Sequence, residues 1–133
     1  MSSLIATVSQ VESCDSLHIV KFDLHGQTLS MMSLDLSEKI KIGTVVKLAV
    51  KPSHIAIAKN FVGEVSYSNQ IDVTIKDLEN GQLLSSVKLD FFDTTLESII
   101  TVNSSKKMNL QVGDKVKAFI KASEISIDEI IND

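Results

Sequence analysis

The sequence predicts an all-β protein: two tandem, OB-like, five-stranded barrels, each with a short helix before its fourth strand. Three observations carry this prediction. Val50-Lys51-Pro52-Ser53-His54-Ile55-Ala56-Ile57 returns as Ile120-Lys121-Ala122-Ser123-Glu124-Ile125-Ser126-Ile127, and internal repetition of this kind marks repeated structural units. Each copy follows a glycine at the same distance, Gly43 before Lys51 and Gly113 before Lys121. Apolar residues also alternate with period two, the pattern of half-buried strands.

The elements follow in order. Ile5-Ala6-Thr7-Val8 pairs with Val62-Gly63-Glu64-Val65 as the opening of each half. In Gln70–Lys76, the side chains of Ile71, Val73 and Ile75 share one face. Val45–Val50 and Val116–Ile120 are β-rich runs of strand length. Asn80-Gly81 is a tight-turn signal, and His25-Gly26 takes the matching place in the first half. Leu36–Ile40 and Ser104–Met108 each suit one or two helical turns, after which Ile42-Gly43 and Val112-Gly113 open the next strand. Five short antiparallel strands with one small helix make an OB-like barrel.

The domains therefore divide at Lys59-Asn60, into residues 1–59 and 60–133. The halves differ in spacing: Gly26 to Ser33 is short, whereas Gly81 to Ser104 is long. The excess predicts a β insert near residues 85–97. The acidic tail from Asp128 reads as a frayed end. Units this small bury only about 60% of their unfolded-chain surface, and the single cysteine, Cys14, excludes an internal disulfide. Stability must come from packing between repeats and between subunits.

Composition narrows the function. The net charge is −4, aromatics make up 5% and tryptophan is absent, so the basic, stacking surface of a nucleic-acid binder is missing. No run approaches the ~20 apolar residues of a membrane span. Met1-Ser2-Ser3-Leu4 lacks signal-peptide character, and with a lone cysteine the expected location is cytoplasmic. No His/Cys cluster has zinc spacing. His18, His25 and His54 stand near no nucleophile motif and read as surface or strand-face residues, so no enzyme is expected. Met31-Met32 reads as a strand with one side in the core.

Hydroxyls and lysines recur at repeated places. Thr101 and Ser104 sit where a strand gives way to a short helix, a position that suits an N-cap or an anion. Lys121-Ala122-Ser123 adds an ammonium, backbone donors and a hydroxyl. Such an all-donor set suits an oxyanion better than a metal cation.

Four short elements carry a resemblance. They are Ala58-Lys59-Asn60, Ile100-Thr101-Val102-Asn103-Ser104, Leu110-Gln111-Val112-Gly113-Asp114-Lys115-Val116 and Lys121-Ala122-Ser123. In this order they resemble the Mop repeat of molybdate-binding proteins, the molbindins, and the related TOBE domains; Lys59 replaces the usual arginine of Ala-Arg-Asn. The first half resembles the repeat more faintly, with Ser30 and Ser33 standing for the Thr and Ser, and Lys51-Pro52-Ser53 for Lys-Ala-Ser. It has no counterpart of the opening basic residue.

The resemblance implies molybdate or tungstate as ligand, with no cofactor and no resident metal. It implies sites drawn from Lys59, Thr101, Ser104, Lys121, Ala122, Ser123, Ser30, Ser33, Lys51 and Ser53, at interfaces between repeats of an oligomer, a homotrimer in this arrangement. The function implied is storage and homeostasis of the oxyanion. The alternative is an oxyanion-sensing module acting on a separate DNA-binding or transport protein, with Phe91-Phe92 as its docking surface. No P-loop motif is present, so the ATPase chemistry of a transporter is not expected.

Overall fold

The computed structural model describes residues 2–132. Its strands are β1 (Ser2–Cys14), β2 (Leu17–Leu24), β3 (Gln27–Ser33), β4 (Val45–Val50), β5 (Ala56–Ala58), β6 (Asn69–Asn80), β7 (Leu84–Phe91), β8 (Thr94–Thr101), β9 (Lys115–Ile120) and β10 (Ile125–Ile130). One helix, α1 (Val102–Lys107), follows β8. Single 3₁₀ turns occupy Pro52–His54 and Ala122–Glu124.

Two five-stranded antiparallel sheets result, ordered β10-β4-β1-β2-β3 and β5-β9-β6-β7-β8. These are the two OB-like units expected, but their last strands are exchanged. The final strand of the chain pairs with β4 of the first sheet, Ile125 opposite Val50. The short strand β5 pairs with β9 of the second, Ala56 opposite Phe119. With the division expected at residue 59, each sheet draws one edge from the other half. The crossing points are the two 3₁₀ turns, which lie within the repeated Lys-x-Ser element.

The period-two pattern places the core. Leu4, Ala6 and Val8 point inward from β1, and Ile71, Val73 and Ile75 do so from β6. Ile55 and Ile125, which follow the crossing turns, are buried, and the buried residues of both sheets form one continuous cluster. β1 and β6 each carry an irregularity at the same place, between Val8 and Gln10 and between Ile75 and Asp77. A bulge there bends a long strand so that it serves two neighbours. Gly43 and Gly113, at φ 94° and 96°, donate to the carbonyls of Val8 and Ile75 beside these bulges. Positive φ at both places explains the repeated glycine.

Several expectations are corrected. The hairpin β7–β8 contains residues 85–97 but is not an insert: it is the counterpart of β2–β3. Ser13 opposes His18 and His18 opposes Ser33, just as Asn80 opposes Ser85 and Ser85 opposes Ile100. His25-Gly26 is thus equivalent to Phe92-Asp93 rather than to Asn80-Gly81, and aligning the wrong turns created the apparent excess. Val62–Val65 lies in the connection before β6, so β1 corresponds to β6 instead. No helix forms over Leu36–Ile40. The link from β3 to β4 is shorter than that from β8 to β9 and folds as turns, with Ile40 N–H donating to Ser37 C=O at 3.1 Å. The acidic tail is not frayed through its described length, since Asp128 and Glu129 belong to β10 and Lys47 pairs with Asp128 at 3.5 Å. Asp133 lies outside the described residues.

Candidate functional site

The repeated Lys-x-Ser elements have the same local geometry. Lys51 and Lys121 are extended, at φ −70°, ψ 139° and φ −66°, ψ 145°. Each accepts at its carbonyl from the N–H three residues on, His54 or Glu124, at 2.9 Å. Lys51, Ser53, Lys121 and Ser123 are all exposed. Among the described residues, neither Lys51 nor Lys121 forms an ion pair, whereas Lys47, Lys59 and Lys117 do. The two ammonium groups are therefore available. The copies differ at the middle position, where Pro52 lacks the N–H that Ala122 offers.

Because the last strands are exchanged, each turn packs on the other half of the molecule, Pro52–His54 on β8 and Ala122–Glu124 on β3. The turns also meet each other. His54 Nδ1 lies 2.8 Å from Glu124 Oε2, and these residues hold the same column of the repeated octapeptide. Two concavities flank this contact. One, of about 280 Å³, brings Lys121 to Ser53; the other, of about 190 Å³, brings Lys51 to Ser123. The lysine of each repeat is thus grouped with the hydroxyl of the other, and His54 and Glu124 line both concavities.

The remaining residues expected at a site are placed differently. Thr101 caps α1: its Oγ1 accepts from Ser104 N–H at 3.2 Å and donates to Ser104 Oγ at 3.0 Å. That is the N-cap role, in a helix of six residues. Ile99 and Ile100, just before Thr101, line the Lys121 concavity.

Lys59 does not reach the turns. Its Nζ donates to Asn109 C=O at 2.8 Å and pairs with Asp114 Oδ2 at 3.0 Å, tying the chain after β5 to the connection between α1 and β9. The hydrogen bond from Lys59, then that from Gln111 N–H, holds the Asp114 carboxyl below the ordinary carboxylate value.

Ser30 and Ser33 do not correspond to Thr101 and Ser104. Strand register sets Ser33 against Ile100, so neither serine aligns with Thr101 or Ser104. The Ser30 backbone is engaged by Asn69, and Ser33 Oγ bonds within its own turn to Asp35. Sequence reasoning did not raise as site residues His54 and Glu124, which line both concavities. Pairing the octapeptides column by column would have raised both.

Phe91-Phe92 is not a pair of exposed aromatics. Phe91 is buried, and Phe92 stacks on His25 at 4.2 Å between ring centroids. Like His54 and Glu124, these stacked residues are equivalents of one another.

Residues 66–127 match the TOBE domain family. The second repeat thus carries the TOBE-domain pattern. The matched segment runs from just before β6 into β10 and so contains the second Lys-x-Ser turn. Relatives include the molybdenum import ATP-binding proteins ModC of Brucella abortus (strain 2308) and Brucella suis biovar 1, each 29% identical over 111 residues. That alignment takes in 83% of this chain but only 29% of the relatives' length. A solved structure of the cytoplasmic molybdate-binding protein ModG, with molybdate bound, superposes with a TM-score of 0.86. It is 22% identical, and the superposition covers 94% of this chain and 93% of that one. The tandem fold is therefore shared across nearly the full length of both.

Proposed function

We propose that this chain binds molybdate between its repeats and holds the oxyanion in the cytoplasm, as a binding protein rather than an enzyme. The observation that carries the reading is the meeting of the Lys-x-Ser turns, each unpaired lysine grouped with a serine of the other repeat. A tetrahedral dianion needs several donors from more than one direction, and this arrangement supplies them. Charge-assisted hydrogen bonds contribute about 1.5–3 kcal/mol each, so four or five support a dissociation constant near 1 μM, which needs about −8 kcal/mol. The net charge of −4 does not oppose this, because local donors dominate within a Debye length of about 8–10 Å.

The ModG likeness and the ModC relatives support molybdate as the first ligand to test. Tungstate, an equally charged tetrahedral anion, belongs to the same reading. A homotrimer completes it. Ile42 and Val112, equivalent residues ahead of the two glycines, are exposed apolar side chains at 72% and 62%, and Val62 is more exposed still; apolar surface of this kind favours association. Native mass spectrometry with and without sodium molybdate tests the proposal. The expected result is a trimer that gains a fixed number of anions. A 14.5 kDa monomer that takes up none would reject it.

A further inference from the structure

His54 and Glu124 are the one pair of side chains common to both concavities. Among the described lining residues, Glu124 is the only carboxylate, and it faces the space that the reading above gives to a dianion. Left alone, a carboxylate there opposes anion binding, since like charges at short range repel. His54 Nδ1, 2.8 Å away, is the group positioned to offset it. The other charged or titratable groups on these walls are Lys51, Lys121 and, on one side, Tyr67.

We propose that His54 is a positioning residue that neutralises Glu124 and thereby sets oxyanion affinity in both concavities at once. The inference rests on the oxyanion reading and adds to it a shared electrostatic wall. As an ion pair the bridge has no net charge, and the flanking lysines act on the anion unopposed. Without the imidazole, the carboxylate charge stands uncompensated beside both spaces. A half-exposed pair of this kind contributes little to folding, so its effect on binding is separable from its effect on stability.

Calorimetric titration with sodium molybdate provides the test, on the wild type, His54→Gln, Glu124→Gln and the double variant. His54→Gln should weaken binding by roughly tenfold, the order expected of one unit charge within a Debye length, with thermal stability nearly unchanged. Glu124→Gln should bind at least as tightly as the wild type, the double variant should recover most of the loss, and His54→Lys should retain affinity. Equal affinities in the wild type and His54→Gln, or no recovery in the double variant, overturn the inference while leaving the oxyanion reading in place. A wild type that takes up no molybdate overturns both.

Discussion

The side-chain amide of Asn69 holds both backbone polar groups of Ser30: Ser30 N–H donates to Asn69 Oδ1 at 2.7 Å, and Asn69 Nδ2 donates to Ser30 C=O at 2.9 Å. Asn69 opens β6 of the second repeat, and Ser30 lies in β3 of the first. Ser2 makes the mirrored contact, with Glu97 N–H donating to Ser2 Oγ at 2.8 Å. Each repeat thus grips the third strand of the other. Asn69 is fully buried, so Asn69→Ala strands two backbone groups away from their partner. Urea denaturation should show a loss of about 2–3 kcal/mol. A loss below about 0.5 kcal/mol would mean that water replaces the amide without penalty.

Strand exchange has a consequence at Ile125. This buried residue belongs by sequence to the second repeat but lies in β10 against β4 of the first. Ile125→Ala should destabilise by about 2–5 kcal/mol, as truncation of a buried isoleucine does. Hydrogen exchange should locate the damage in β4 and β1, not in β9. Faster exchange confined to β9 would contradict the exchanged topology.

Strands and turns were legible because they rest on local signals. Alternation at Ile71, Val73 and Ile75 and the repeated Lys-x-Ser element both correspond to observed structure. The exchange of β5 and β10 was not legible, since Ile55 and Ile125 carry the same apolar signature whichever sheet receives them. The supposed insert arose from matching His25-Gly26 to Asn80-Gly81. Local turn propensity cannot say which hairpin a turn closes, whereas the strand pairings can. The same misalignment matched Ser30 and Ser33 to Thr101 and Ser104. Lys59 kept the positive charge that the family resemblance led us to expect, but its partner, Asp114, lies far along the chain.

Lys59 and Asp114 give a prediction with a definite sign. The folded-state pKa of Asp114 is lowered, first by its hydrogen bond from Lys59. Its contribution to stability is therefore fully present above the unfolded value of about 3.9 and is lost as pH falls through the lower folded value. In Lys59→Ala, NMR titration should show the Asp114 carboxyl shifting upward. The stability gap between wild type and variant should be largest near neutral pH and close under acid. A gap that is constant from pH 7 down to pH 2 would assign the effect of Lys59 to its bond with Asn109 C=O instead.

The grouping of Lys121 with Ser53, and of Lys51 with Ser123, makes a claim about coupling. If each concavity holds one anion, residues within a group share a ligand and residues in different groups do not. Single alanine substitutions at Lys121 or Lys51 should each cost about 1.5–3 kcal/mol of molybdate binding at one class of site, while Lys106→Ala, on the exposed side of α1, should cost almost nothing. Double-mutant cycles then separate the groupings. Lys121→Ala with Ser53→Ala should couple by about 0.5–3 kcal/mol, whereas Lys121→Ala with Ser123→Ala should add within about 0.5 kcal/mol. Sequence proximity favours the opposite result, because Lys121 and Ser123 are two residues apart in the same turn. Strong coupling of that neighbouring pair, with none between Lys121 and Ser53, would mean that each anion is held by a single turn and that the crossing of the repeats plays no part in binding.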